Sequence, residues 1–151
     1  MTVLIAWELT CSVDADVPHS FAWGFMTDVT NWADPPAQFE LAGPFAPGSA
    51  GITRMPGSEP LRWVIRDVQA GSSYTIDMAL DRATLSSAWR FDAVSPRRTR
   101  LTQRMVLTGD NAAAFRERVE TGFGSNLRAG MKKIADAMAD AESRREPGTR
   151  G

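Results

Sequence analysis

Two polar side chains on otherwise apolar strand faces are the places where this chain could do chemistry. Gln103 falls in phase with Leu101, Met105 and Leu107, and Ser87 in phase with Leu85, Trp89 and Phe91. Burying an amide costs on the order of 1–3 kcal/mol unless it is hydrogen-bonded, so Gln103 needs a partner. A backbone group or water would make its role structural; a ligand carbonyl or hydroxyl would make it a recognition group. Ser87 carries the same two readings, more weakly, because a small hydroxyl is easily satisfied. His19 is the only histidine of the chain, and so the only side chain whose unperturbed pKa suits proton transfer near neutrality. Its place in the first turn of a helix predicts a surface position. Asp28 is expected to end that helix and fix the turn after it. Arg116 and Glu120 form an i, i+4 pair beside an apolar helical stripe. The pair is expected to be solvated and worth a few tenths of a kcal/mol; the alternative places it at a pocket mouth.

Other chemistries lack their residues. No spacing of His, Cys and carboxylates suggests a metal site. The stretch from Gly43 to Gly51 has no Gly-Lys-Ser/Thr and is not a phosphate loop. No Gly-x-Ser-x-Gly turn is present, and His19 would be the only base available to a triad. Catalytic residues stay unassigned, no cofactor or metal is expected, and whether the chain is an enzyme stays open.

Strands must hold Gln103 and Ser87 in place. Alternation predicts them over 4–13, 38–43, 50–55, 61–68, 74–80, 84–92 and 99–108, each with one buried and one solvated face. Asp16 is a plausible N-cap, with Pro18 in the first turn, for a helix running to about Asp28. Phe21 and Phe25 lie on one side of it, and Ala22, Trp23 and Met26 on another, so it is covered twice or forms the lip of a cavity. Asn31 to Pro36 reads as a short irregular piece ended by paired prolines. Last comes an unbroken helix from about Ala112 to Ala141, whose stripe is Phe115, Val119, Phe123, Leu127, Met131, Ile134 and Met138. Gly122, Gly124 and Gly130 each cost roughly 1 kcal/mol there relative to Ala. They predict a bend near Gly122-Phe123-Gly124, close packing, or room for a cavity.

The fold class is therefore α+β, a seven-stranded antiparallel sheet gripping a long C-terminal helix, with two short helices after the first strand. Strand phases give an inner wall of Trp7, Leu9, Trp63, Ile65, Met78, Trp89, Phe91 and Met105, with Ser87 and Gln103 as its polar members. Phe123, Leu127 and Met131 form the helical wall. These thirteen residues either fill a core or line a cavity. Aromatic walls with adaptable thioethers suit a planar apolar guest.

The totals bound the partners. In 151 residues, 43% hydrophobic and 23% charged, one domain is expected over 1–142, followed by a frayed tail over 143–151. The formal net charge of -1 offers no field for nucleic acid. The single cysteine, Cys11, excludes an internal disulfide. The N-terminus reads as a strand, neither a leader nor a membrane span, which makes a cytoplasmic location the expectation.

The chain resembles the START-like superfamily that includes polyketide cyclase/dehydrases and the birch-pollen-allergen fold, also called SRPBCC or helix-grip. Ala22 to Asp28 matches its first-helix pattern, Asn31-Trp32 the pair that follows, and Gly43 to Gly48 the bacterial members' G-x-f-x-x-G turn. Leu101-Thr102-Gln103 and Leu107-Thr108-Gly109 match its last strand. The resemblance implies a deep hydrophobic cavity between the sheet and the last helix, with the two short helices near its opening. Three functions follow: binding of a small hydrophobic, aromatic or lipid-like molecule; a polyketide aromatase/cyclase; or an interaction module using Trp23 or Phe25. A monomer or a homodimer fits each.

Overall fold

A computed structural model describes residues 5–32 and 36–149, with side chains up to Arg144. Leu4 of the expected first strand, residues 33–35 of the irregular piece and residues 150–151 of the expected tail lie outside the described residues.

The alternating segments form β1 (Ile5–Ala15), β2 (Gln38–Ala42), β3 (Ala50–Arg54), β4 (Leu61–Gln69), β5 (Ser73–Leu80), β6 (Ala83–Ser95) and β7 (Arg98–Thr108). They pair antiparallel into one seven-stranded sheet in the order β1-β7-β6-β5-β4-β3-β2. From β2 to β7 the order is that of the chain, while β1 adds to the far side of β7 with Leu9 opposite Met105. One face is apolar. The other carries cross-strand ion pairs, among them Glu8–Arg104 at 2.6 Å, Arg66–Asp77 at 2.7 Å and Asp14–Arg100 at 2.9 Å. The hydrogen bond from Arg100 holds the Asp14 carboxyl below its ordinary pKa, against a weaker upward push from burial.

Helix α1 (His19–Met26) follows β1, and a 3-10 turn covers Val29–Asn31. Asp16 does not cap α1, whose N-cap position is Pro18. The Asp16 carboxylate instead accepts from Arg98 Nε at 3.1 Å, a cross-chain pairing that local spacing does not reveal. Asp28 does fix the next turn: its carboxylate accepts from the Thr30 backbone N–H at 3.0 Å and from the Thr30 hydroxyl at 2.6 Å.

The C-terminal helix is not unbroken. It starts as a 3-10 turn (Ala112–Phe115), becomes α2 (Arg116–Val119), passes through a π turn (Glu120–Gly124) and resumes as α3 (Leu127–Thr149). The Ser125 N–H donates to the Glu120 carbonyl at 3.0 Å, a five-residue step that takes one residue more than an α turn. Val119 and Leu127 are eight apart, about 80° off one face of a regular helix. The extra residue lets both be buried. Gly124 faces the Trp7 indole, where a Cβ would lie 2.8 Å from a ring carbon, so close packing decides that glycine. A Cβ added at Gly122 or Gly130 would meet nothing within 4 Å beyond the helix's own backbone. Below the break, Leu127, Met131, Ala135 and Met138 bury the stripe of α3, which packs mainly on β1. A full burial of each such Leu or Met contributes about 1.5–3 kcal/mol.

Candidate functional site

Residues directly opposite in an antiparallel sheet share a face, so register places the inner side chains in rows. One row runs Val68, Tyr74, Trp89, Gln103, Cys11. The next runs Ile65, Ile76, Ser87, Met105, Leu9, and a third Trp63, Met78, Leu85, Leu107, Trp7. All ten strand residues expected on the inner wall thus lie on the same face, Phe91 one row above Trp89. Trp7, Trp63, Ile65, Trp89, Phe91, Gln103 and Met105 are buried, as are Leu127 and Met131 of α3. Leu9, Met78 and Ser87 are half-buried, together with Ile76. Phe123 differs from the expected helical wall: the π turn carries it outward and leaves it 36% exposed.

Gln103 has its partner. The Gln103 Nε2 donates to Ser87 Oγ at 2.7 Å, joining the two polar candidates diagonally across β6 and β7. The bond leaves the Gln103 carbonyl oxygen and the Ser87 hydroxyl hydrogen without partners among the described residues. Trp63 is fixed in two ways. Its Nε1 donates to the Thr53 hydroxyl at 3.0 Å, and its ring lies over Gly51, where a Cβ would come within 2.3 Å. His19 is half-buried rather than at the surface. With its Nε2 protonated it donates to the Phe91 carbonyl at 2.9 Å and ties α1 to β6. Arg116 and Glu120 are both exposed.

Sequence reasoning missed the residue at the centre of this face. Tyr74 is the chain's one tyrosine; it is 1% exposed, and its hydroxyl is the buried side-chain polar atom without a hydrogen-bond partner among the described residues. Burial pushes the phenol pKa up, so it stays protonated well past neutrality. Its ring lies nearly parallel to Trp89 (6.5 Å, 23°), and Trp89 to Phe91 (6.4 Å, 25°). The three rings make an aromatic floor. Two rings stand edge-on over it: Trp23 of α1, 6.1 Å from Tyr74 and 5.4 Å from Phe91, and Phe45 of the β2–β3 loop, 4.9 Å from Tyr74. Trp32 continues the cover, 5.5 Å from Trp63 and 6.4 Å from Phe45.

The cover is held by its own polar contacts. Trp32 Nε1 donates to the Met26 carbonyl at 2.8 Å and Asn31 Nδ2 to the Phe25 carbonyl at 3.1 Å, satisfying the open end of α1. The loop is pinned where the Gly48 N–H donates to the Ile65 carbonyl at 2.7 Å and the Ile65 N–H to the Ser49 carbonyl at 3.0 Å. Three of the motifs behind the family resemblance, Ala22 to Asp28, Asn31-Trp32 and Gly43 to Gly48, supply one of these rings each: Trp23, Trp32 and Phe45. Tyr74 had a signal too, a phenol in an apolar strand phase, the same anomaly that drew attention to Gln103.

Two grooves lie elsewhere. One of about 320 Å³, lined by Phe21, Gly24, Phe25 and Ala141, separates α1 from the end of α3. Another of about 310 Å³, lined by Val13, Asp14, Arg128 and Lys132, runs between β1 and α3. Among the described residues no helix is long and apolar enough to cross a membrane.

A sequence family described as polyketide cyclase/dehydrase and lipid transport matches residues 6–139. No curated protein matches. Norcoclaurine synthase from Thalictrum flavum, solved as a point mutant with a transition-state analogue, superposes with a TM-score of 0.72 at 10% identity, over 94% of this chain and 99% of that one. An NMR structure from Thermobifida fusca gives 0.70 at 15%, over 88% and 93%. The di-domain aromatase/cyclase StfQ of the steffimycin biosynthetic pathway gives 0.70 at 14%, over 93% of this chain and 52% of that one. At these identities the likeness is one of fold.

Proposed function

The chain belongs to the polyketide cyclase/dehydrase and lipid transport family, and from that premise we propose that it binds a small, largely apolar molecule on the inner face of the sheet, under α1, the β2–β3 loop and α3. One observation carries the reading. Among the buried side chains of the inner face, Leu9, Ile76, Met78 and Ser87 are only half-covered by the chain itself, as are Cys11 and Val68 at the two ends of the Tyr74 row. Apolar surface left that way gains about 25 cal/mol for each Å² a guest removes from water. Methionine beside aromatic rings adapts to guests of different outline, and the Ser87–Gln103 pair offers one donor and one acceptor to orient them.

Binding is favoured over cyclisation because the polar groups on this face, Gln103, Ser87 and Tyr74, are neutral at ordinary pH. His19 has committed its Nε2 to a backbone carbonyl. A cyclase built here would act by confinement and by hydrogen bonds to neutral groups. As an interaction module the chain would present Trp23 or Phe25; the Trp23 ring packs inward on Tyr74 and Phe91, and Phe25 is half-buried against Phe21 in the groove beside α3.

The test is saturable uptake of N-phenyl-1-naphthylamine by the full chain and by Ser87→Phe, which fills the half-covered centre. One probe per chain, lost in a folded Ser87→Phe, is the expected result. Equal uptake by both proteins places the probe elsewhere and removes the reading.

A further inference from the structure

The proposed reading accounts for an apolar guest but leaves the Tyr74 hydroxyl without a task. Four aromatic rings, those of Phe45, Phe91, Trp23 and Trp89, lie around the Tyr74 ring with centroids at 4.9 to 6.5 Å. Phenylalanine would fill the same place without the penalty of an unpaired donor. A phenol kept there is therefore a donor held ready.

Resting on the binding reading above, we propose that Tyr74 is the hydrogen-bond donor of the site, and that the ligand class is a flat apolar molecule carrying an acceptor oxygen, such as an aryl ketone. The geometry specifies both halves of that description. The floor of Tyr74, Trp89 and Phe91 is three rings wide with mutual tilts of 23° to 33°, a surface for a planar frame. The donor belongs to the ring of that floor on which Phe45 packs, 4.9 Å between centroids. Phe45 is half-buried, belongs to a loop, and meets Tyr74 edge-on at 82°. In the proposed bound state the Phe45 side chain turns aside to admit the ligand, while Gly48 and Ser49 keep the loop on β4. The bond formed is O–H to carbonyl, with no proton transferred. Because burial raises the phenol pKa, the group remains a donor across the physiological range.

The experiment compares two probes of nearly equal size, 2-acetylnaphthalene and 2-isopropylnaphthalene, which differ in the acceptor oxygen. Equilibrium dialysis measures both against the full wild-type chain and Tyr74→Phe. The wild type is expected to prefer the ketone by about tenfold, the worth of one buried neutral hydrogen bond. Tyr74→Phe loses that preference and binds the hydrocarbon as before. Tyrosine labelled with 13C at Cζ provides a second readout that needs no variant. The chain has one tyrosine, so a single resonance reports, and it is expected to move with the ketone and not with the hydrocarbon. An unchanged ketone preference in Tyr74→Phe, with an unmoved resonance, overturns the proposal and leaves the apolar site standing. Failure of the wild type to bind either probe removes the binding reading, and this one with it.

Discussion

Replacing Tyr74 by Phe in the ligand-free protein isolates the energetics of the buried hydroxyl. A donor left unsatisfied on burial carries a penalty of about 1–3 kcal/mol. Removing the oxygen leaves a void of roughly 10–15 Å³, one water probe in size, and at about 24 cal/mol per Å³ that costs about 0.3 kcal/mol. The variant is thus expected to be more stable by about 0.7–2.7 kcal/mol. For a chain of this length that raises Tm by roughly 2–10 °C. Urea unfolding with an unchanged m-value measures the gain directly. Alkaline pH adds a second signature. The folded phenol pKa is raised by burial, so the unfolded chain releases its proton first, near pH 10. The stability of the wild type is complete below that pH and falls above it by about 1.4 kcal/mol per unit from this group. Tyr74→Phe lacks that component. A Tyr74→Phe protein less stable than wild type by 1 kcal/mol or more would refute the reasoning, since the hydroxyl would then be bonded in the native state.

Four further substitutions probe the same account. Gly124→Ala drives a Cβ to 2.8 Å from the Trp7 ring and is expected to destabilise by about 1–3 kcal/mol, whereas Gly122→Ala meets open space and is expected to be neutral or stabilising by up to about 1 kcal/mol; paired urea melts decide. Gln103→Leu removes the donor to Ser87, with a stability loss of no more than about 1.5 kcal/mol and tighter uptake of purely apolar probes; a large loss with no change in uptake marks Gln103 as structural alone. Arg100→Gln frees the Asp14 carboxyl, whose NMR titration is expected to move up to the ordinary range. Asp14 contributes stability at neutral pH that is lost as pH falls through its depressed folded value, and for so exposed a pair the loss stays within about 1 kcal/mol.

The sheet was legible because a period of two is hard to mistake: Thr99 to Thr108 alternates cleanly, and register then fixes which residues share a row. The irregularity between Ile65 and Asp67 that turns Val68 to the inner face of β4 was not visible in the alternation. The break in the last helix was legible only as a suspicion. Three glycines and gaps of four pointed to a bend, but whether Phe123 follows the stripe depends on one extra residue in a π turn, settled by the fit of Gly124 against Trp7. Asp16 had the spacing of an N-cap, yet its partner Arg98 lies 82 positions away. Tyr74 was overlooked for a related reason. Its strand phase was visible, but not the rings from α1 and the β2–β3 loop that close over it and leave its hydroxyl unpaired. Long-range closure of this kind belongs to tertiary packing, which local pattern does not encode.

Native mass spectrometry of the freshly purified full chain tests the central claim most directly. The account predicts a population carrying one extra small molecule, displaced stoichiometrically by 2-acetylnaphthalene and absent from Ser87→Phe. A wild-type chain that flies only at its bare mass and takes up no 2-acetylnaphthalene contradicts it.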